Sequence, residues 1–271
     1  MSTIFESKLA RKCMFLNPEQ SVNFIFRNGK KIEKIKACKS PLSVISPVFK
    51  VMFTAKLRKA GDIEILGADV ASFNEFLQFF YSTDVNLSME LMENVIRLTE
   101  RYGIKEQIVG NASTLIKTLT AENLCWGYQL GCYLDYEPLI TFCEDEIRKS
   151  SQPILESALF TKLDIKILER LLTLNFSCHE RIVYAGVLQW AKAKCRSSKT
   201  EINGNNLRRT LNDGNLLKMI RFSNMSLHDF ASSIPHNIFS GLFTEEELQD
   251  VVLSLVSKDY QPKMFKGCDR R

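Results

Sequence analysis

The sequence predicts an α+β fold in which a few strands near the N-terminus are followed by helices only. Residues 22–26 are rich in β-branched and aromatic side chains, and the Asn28-Gly29 dipeptide that follows is typical of a tight hairpin turn. Residues 32–37 then alternate charged and apolar side chains, which is the period of a half-exposed strand. From residue 119 onward the apolar residues instead recur three or four positions apart, as along one face of a helix. We therefore expect the strands to be confined to the first ninety residues.

The composition is that of an ordinary globular protein. The chain has 271 residues, 45% of them hydrophobic, which suffices for one large domain or two smaller ones. A formal net charge of +5 is too mild to predict a nucleic-acid surface. No apolar run reaches the roughly 18 residues that a membrane span needs, and the charged N-terminus does not resemble a signal peptide. We therefore expect a protein of the cytosol or nucleus, with no nucleic-acid or membrane partner, whose eight scattered cysteines are free thiols.

Residues 2–17 leave two interpretations open. Ile4, Phe5 and Leu9 fall, with other apolar residues, on one rough helical face. The segment is either a frayed terminal helix or a helix that docks on a partner.

Two Ser-Pro steps predict the starts of two short helices that form a helical hairpin. In Ser40-Pro41, and again in Ser46-Pro47, serine stands where it caps a helix and proline occupies the first helical position. The other elements expected before residue 119 are a strand at 62–65, a helix over 70–80, a short strand at 84–87, a helix begun by Ser88 and stopped by Gly103, and a helix over 104–118. The aromatic residues of the helix over 70–80 are interpreted as core, not as a cofactor site.

Beyond residue 119 only helices are expected. Residues 120–123 are a plausible helix cap, and Pro138 fits the first turn of a later helix. The remaining helical runs are 164–172, 179–194, 207–219, 226–233 and 244–255. Residues 197–206 predict a polar loop centred on Asn203-Gly204.

The sequence contains no arrangement that is typical of an enzyme or a metal site. Three dispersed histidines and the absence of any C-x-x-C pair argue against zinc, and the glycines form no phosphate-binding loop. Cys178-His179 places a nucleophile beside a base, but adjacent residues at a helix start do not converge, so we interpret them as a capping region. We expect a non-enzymatic protein-binding module without a cofactor.

Seven stretches of the chain, taken in order, resemble a BTB/POZ domain followed by a BACK domain. The BTB-like stretches are residues 35–42, 46–53 and 73–81, and the BACK-like stretches are residues 119–125, 139–143, 187–191 and 220–231. The last of these is similar to BTB-BACK proteins that carry a PHR domain. The resemblance divides the chain into an N-terminal dimerisation helix (1–18), a BTB/POZ domain (19–118), a BACK domain (119–256) and a flexible tail (257–271).

The resemblance implies a small mixed sheet capped by helical hairpins, then an all-α domain. It also implies a homodimer, or a pair with a related BTB protein. The residues implied at the dimer interface are Ile4, Phe5 and Leu9 of the N-terminal helix, with Leu42 and Phe49 of the first BTB helices.

A second implied partner is the cullin scaffold of a ubiquitin ligase, to which the family connects a protein substrate, here unknown. The residues implied at the cullin contact are Met52, Phe53, Leu57, Lys59, Tyr81 and Glu122. Lys59 stands where the family has Glu, and Ser21 and Cys38 replace its Asp and His. We expect Lys59 to weaken cullin binding without abolishing it, since a lost hydrogen bond to a charged group costs about 1.5–3 kcal/mol.

The chain ends soon after Val256, too early for a kelch or PHR domain, so we expect the substrate to be held by the BACK helices, by the tail or by a partner in trans. Two functions remain open. One is a homodimeric adaptor of a cullin-RING ligase, and the other is a dimeric scaffold or regulator that recruits no cullin. A transcription factor would need a DNA-binding segment, for which the Cys/His framework is lacking.

Overall fold

The chain divides into two compact units, residues 1–112 and 113–271. The computed structural model describes residues 20–28, 31–54, 62–82, 85, 87–212, 215–233, 241–257 and 259–265. The first unit contains a three-stranded sheet and a core rich in aromatic side chains. The second unit, over its described residues, contains helices and turns. The predicted α+β class is confirmed.

The sheet consists of β1 (Ser21–Asn28), β2 (Lys31–Cys38) and β3 (Ile63–Glu64), in the order β2-β1-β3. β1 pairs antiparallel with β2 and parallel with β3, so that Phe24 lies between Ile35 and Ile63. The sheet is therefore mixed. The turn at residues 29–30 lies outside the described residues. Of the strand expected at 84–87, the two described residues are not in a strand.

Five helices accompany the sheet. They are α1 (Lys39–Ile45), α2 (Pro47–Thr54), α3 (Val70–Tyr81), α4 (Met92–Arg101) and α5 (Lys105–Ile116), and the division between the units falls within α5. Ser46 begins α2 as expected, since its Oγ accepts the Phe49 N–H at 3.1 Å and donates to the Tyr102 carbonyl at 2.6 Å. Gly103 follows α4 with φ of +68°, a left-handed conformation that suits glycine at a helix end.

Two helix starts differ from the sequence expectation. α1 begins at Lys39, so Ser40 lies inside its first turn rather than capping it. Ser88 does not cap α4, because its N–H and Oγ both bond to the carboxylate of Glu75, at 3.0 and 2.7 Å. The local sequence favoured a cap, but a carboxylate on the neighbouring helix α3 provides a stronger acceptor.

An aromatic cluster forms the core of the first unit. Phe49 stacks on Tyr102 with ring centroids 4.3 Å apart, and Phe24 meets Phe73 edge-on at 4.9 Å. These side chains and Phe76 are fully buried or nearly so. The interpretation of the α3 aromatics as core is confirmed.

The second unit consists of nine described helices. They are α6 (Leu124–Leu134), α7 (Glu137–Lys149), α8 (Ser151–Leu155), α9 (Ile165–Leu172), α10 (Glu180–Ser197), α11 (Gly204–Thr210), α12 (Asn215–Lys218), α13 (Leu227–Ser232) and α14 (Glu245–Val256), with short 3₁₀ turns at Phe160–Lys162 and Phe222–Asn224. Four of the five predicted helical runs are confirmed. The run predicted over 207–219 is instead two short helices, α11 and α12.

Two segments predicted to be irregular or flexible are ordered. Asn203-Gly204 is not the centre of a loop, because Asn203 caps α11 by accepting the Asn206 N–H at 3.0 Å. Residues 259–265 fall in the stretch expected to be a flexible tail, yet they pack against the second unit and Phe265 is only 1% exposed. Polar composition predicted a loop at the first place and the family resemblance a flexible tail at the second, but neither identified the carboxylate or amide oxygens that hold the chain there.

Candidate protein-interaction surface

The surface of α1 and α2 carries exposed apolar side chains. Val44 on α1 is 81% exposed and Val51 on α2 is 67% exposed. Leu42 and Phe49, which were expected at a dimer interface, are on the same two helices but fully buried in the first unit. Val44 and Val51 are therefore the large apolar side chains that α1 and α2 expose to another protein, while Leu42 and Phe49 hold these helices in place.

Both helices carry apolar residues on two faces, which explains why the sequence did not separate them. Spacing shows that Leu42 and Val44, or Phe49 and Val51, lie on different sides of a helix. It does not show which side meets the sheet. The dimer candidates Ile4, Phe5 and Leu9 lie outside the described residues.

Three of the six expected cullin-contact residues lie in the described part of the first unit. Met52 and Phe53 are half-buried at the end of α2, and the Phe53 ring stacks parallel on Phe49 with centroids 5.7 Å apart. Tyr81 has a role within the unit, because its hydroxyl donates to the Cys38 carbonyl at 3.1 Å and accepts the Cys38 N–H at 3.0 Å. These bonds tie the end of α3 to the end of β2.

The structure does not test the other three cullin candidates. Leu57 and Lys59 lie outside the described residues. Glu122 is exposed in the turn before α6, in the second unit. A contact surface that contains all six residues remains a prediction.

The outer face of the sheet carries paired charges. Lys34 contacts Asp62 at 2.5 Å, and Arg27 contacts Glu64 at 3.0 Å. The hydrogen bond from Lys34 lowers the pKa of Asp62, and a second bond from Asn23 acts in the same direction. Exposed ion pairs of this kind contribute little to stability and are typical of a solvated strand face.

Residues 15–119 match the BTB/POZ domain family. This part of the chain is a BTB/POZ domain. The match covers the sheet and α1–α5, and therefore includes Val44 and Val51. BTB/POZ domains are protein-interaction modules, so the surface described above lies on a domain of that kind.

Relatives of known sequence are similar over both units. The chain is 26% identical to human "BTB/POZ domain-containing protein 3" over 249 residues, which are 90% of this chain and 46% of the relative. It is 26% identical over 247 residues to "BTB/POZ domain-containing protein 6" of Xenopus laevis, with 90% and 46% covered. For "BTB/POZ domain-containing protein 6-A" of Danio rerio, the identity is 28% over 227 residues, with 82% and 41% covered. The chain therefore spans about half the length of the relatives it matches, and its BTB/POZ domain and its helical unit both lie within the similar region.

An open cleft of about 370 Å³ in the helical unit is lined by Cys178 and His179, with Glu180 and Arg221 beside them. His179 precedes α10 at the N-cap position, in agreement with the capping interpretation, although its side chain makes no capping bond. The Glu180 carboxylate accepts the Arg221 N–H at 2.9 Å. The cleft residues thus join the start of α10 to the chain before Phe222.

The cysteine thiols of the helical unit are mostly buried. Burial raises the pKa of Cys125 to about 12 and that of Cys132 to about 11, so both are protonated at neutral pH. The six described cysteines are free thiols, as expected. Within the described residues, no group of three or more His, Cys, Asp and Glu side chains is placed to hold a metal ion. The same part of the chain contains no helix long and apolar enough to span a membrane.

Proposed function

We propose that the chain is a non-enzymatic BTB-BACK protein that works as a homodimeric substrate adaptor of a cullin-RING ubiquitin ligase, in the cytoplasm or nucleus. One observation carries the proposal: a BTB/POZ domain at residues 15–119 is followed by a helical unit, and the similarity to BTB/POZ proteins extends across both. In this proposal the helical unit is the BACK domain. Cullin and an unknown protein substrate are the partners.

Dimerisation is proposed to use α1 and α2, together with the N-terminal segment that contains Ile4, Phe5 and Leu9. The support is the exposure of Val44 and Val51, because apolar side chains this exposed on adjacent helices suit a protein interface. A stable interface of standard size buries about 1,600 Å² in total. Single valines supply only its centre, so neighbouring residues must contribute as well.

The dimer is tested by light scattering on the purified chain and on a Val44→Asp, Val51→Asp double variant. We expect a dimer for the wild type and a monomer for the variant at micromolar concentration, because two carboxylates would be buried without partners. Leu66→Asp is the matched control, since Leu66 is also an exposed apolar residue of this unit but lies outside α1 and α2. A wild-type monomer, or a variant that remains dimeric, would contradict the proposed interface.

Cullin binding is proposed to centre on Met52, Phe53, Leu57, Lys59 and Tyr81, and Glu122 is proposed as a further contact residue. Calorimetric titration with the N-terminal domain of a ubiquitin-ligase cullin tests this for the wild type and for Lys59→Glu. We expect the wild type to bind with a Kd near micromolar, and the variant to bind about ten- to a hundredfold more tightly. Lys36→Glu makes the same charge change on the exposed face of β2 and should leave the affinity unchanged.

A second function is favoured by Lys59 itself, which stands where the family has Glu. The chain would then be a dimeric scaffold or regulator that pairs with itself or with related BTB proteins and recruits no cullin. Binding by Lys59→Glu alone would support this alternative. Absence of binding by both proteins would overturn the adaptor proposal.

A further inference from the structure

Residues 259–265, here called the strap, cross the helical unit without forming a helix or strand. Three consecutive main-chain N–H groups of the strap, from Lys263, Met264 and Phe265, donate to the carboxylate of Asp250 at 2.8, 2.9 and 3.1 Å. The hydroxyl of Tyr260 donates to the same carboxylate at 2.7 Å. The hydrogen bonds that hold the strap thus converge on one side chain.

Asp250 is suited to bind a peptide main chain. It lies on α14 and is 4% exposed with the strap in place. Burial tends to raise the pKa of this carboxyl, but the bonds from the strap N–H groups and Tyr260 lower it below its usual value, so the group is ionised at neutral pH. Three of its four donors are consecutive main-chain N–H groups, and the chain bends at residues 263 and 264 so that all three point at the carboxylate. This carboxylate therefore recognises a turn of the backbone rather than particular side chains.

Selectivity comes from a pocket for one aromatic ring. The Phe265 ring stands perpendicular to Phe222 with centroids 5.1 Å apart, and lies 6.0 Å from Phe243. Phe222 and Phe243 themselves meet edge-on at 5.8 Å. Perpendicular and edge-on contacts are favourable arrangements for aromatic pairs, so the pocket suits a ring better than an aliphatic side chain.

Phe265 is the one side chain of the strap that is fully buried. Between Tyr260 and Phe265, the side chains of Gln261 and Lys263 are exposed, as is that of Asp259 before them. Segments with few buried contacts open at a lower free energy than the core of a protein does. The strap is therefore a tethered ligand, because it can leave its binding site while it remains part of the chain.

We propose that Asp250 and the Phe222–Phe243 pocket form a docking groove for a peptide segment of another protein that bends as residues 263–264 do, and that the strap is the ligand that fills this groove in cis. The partner segment offers an aromatic side chain to the pocket and its preceding main-chain N–H groups to Asp250. This inference does not depend on cullin binding or on dimerisation. It gives the helical unit a peptide-binding surface that is closed until the strap lifts.

The strap's advantage over a partner in trans is its effective concentration. A short tethered segment acts at roughly millimolar effective concentration, so it competes strongly with a free peptide. Removing the strap's aromatic anchor should therefore open the groove, while removing Asp250 should damage the groove itself.

The test is fluorescence anisotropy with a labelled peptide of residues 259–265 and the full chain. We expect Phe265→Ala to bind the peptide at least about tenfold more tightly than the wild type, because its own strap no longer fills the pocket. A peptide with alanine in place of its phenylalanine should not bind. Phe265→Ala combined with Asp250→Asn should lose most of the binding. A folded Phe265→Ala protein that does not bind the peptide overturns the proposal.

Hydrogen exchange of the wild-type protein gives a second test that needs no variant. The amides of residues 263–265 should exchange at least about tenfold faster than those of the buried turns of α10, because the strap opens without global unfolding. Tyr260→Phe removes one bond to Asp250 and should accelerate that exchange further. If the strap amides exchange as slowly as those of α10, the strap does not open and the groove is not available to a partner.

Discussion

Among the described residues, the core of the BTB/POZ unit is aromatic and contains no charged side chain, whereas the core of the helical unit contains acidic side chains. The buried polar residues described in the first unit are the hydroxyl-bearing Ser46, Ser72 and Thr99. The three buried carboxylates within the described residues, Glu180, Glu247 and Asp250, all belong to the second unit, which also buries Gln129 and Ser151. The first unit therefore depends mainly on ring packing, and the second depends also on matched charges and hydrogen bonds.

The pair between the buried Glu247 and Arg208, whose side chain is 23% exposed, illustrates the second case. The guanidinium makes two bonds to the carboxylate, at 2.6 and 3.0 Å, and a third to the Leu242 carbonyl at 3.0 Å. Glu247 also completes a capping box at the start of α14 with Thr244. One carboxylate thus joins α11 to α14 and begins a helix.

Among the variants that test this difference between the two cores, Phe49→Ala in the first unit should cause the largest loss of stability. Phe49 lies at the centre of the aromatic cluster, so its loss should lower the free energy of unfolding by about 4 kcal/mol. Circular dichroism during urea unfolding measures the change. Both tryptophans, Trp126 and Trp190, lie in the second unit, so tryptophan fluorescence shows whether that unit is affected as well.

Val51→Ala is the control for Phe49→Ala, because Val51 is on the same helix but exposed. It should change the free energy of unfolding by no more than about 0.5 kcal/mol. If the two variants were equally stable, the aromatic cluster would not be what holds the first unit.

A smaller effect is expected from Glu247→Ala in the second unit. The change leaves Arg208 charged and poorly partnered, but solvent reaches its partly exposed side chain, so the free energy of unfolding should fall by about 2 kcal/mol. Urea unfolding followed by tryptophan fluorescence measures it. The double change Arg208→Met, Glu247→Leu removes both charges and should cost much less. A double variant no more stable than Glu247→Ala would mean that the pair stabilises the unit through more than its charge balance.

The sequence predicted the first core more completely than the second for a physical reason. The rings of α3 recur at helical spacing, so Phe73, Phe76 and Phe80 are recognisable as one buried face. Arg208 and Glu247 are 39 residues apart, and nothing near either residue identifies its partner. The bonds between Asp250 and the strap are harder still to predict, because main-chain donors have no sequence signature.

The exposed residues of α1 and α2 could not be predicted from the sequence for a similar reason. Exposure decides which residues of α1 and α2 are available to a partner, and exposure depends on how the helices pack on the sheet. Leu42 and Phe49 were chosen by position in a motif, whereas Val44 and Val51 become visible only when the packed face is known. An apolar residue two positions from a core residue on a short helix is the one sequence signal that would have suggested them.

Low pH should destabilise the second unit more than the first. Burial tends to raise the pKa of both Glu247 and Asp250, but the hydrogen bonds to these carboxylates lower both values in the folded protein. The stability they contribute is therefore complete above their unfolded pKa of about 4 and is lost as the pH falls through the lower folded values. The effect should be smaller than deletion of Glu247, since a protonated carboxyl still accepts hydrogen bonds.

The pH effect is measured from urea midpoints at pH 7, 4 and 3. Tryptophan fluorescence follows the second unit, and hydrogen exchange of β1 follows the first. In the first unit, bonds from Ser72 outweigh the burial of Asp69 and lower its pKa. The first unit should therefore also lose stability in acid, but less, because Asp69 is at a partly exposed helix cap. Equal losses in the two units would mean that the buried carboxylates do not distinguish them. Asp250→Asn should reduce the pH dependence of the second unit.

The smallest expected effect is a gain in stability. Tyr184 on α10 is buried against Phe222, and its hydroxyl has no hydrogen-bond partner among the described residues. A buried hydroxyl without a partner lowers stability, so Tyr184→Phe should raise the free energy of unfolding by about 1 kcal/mol. Tyr128→Phe is the matched control, because the Tyr128 hydroxyl bonds to Glu144 at 3.2 Å and its loss should destabilise the same unit. Thermal unfolding followed by tryptophan fluorescence should therefore move in opposite directions for the two variants. If both variants lose stability, the Tyr184 hydroxyl has a partner such as a buried water, and the helical unit satisfies its polar groups as completely as the BTB/POZ unit does.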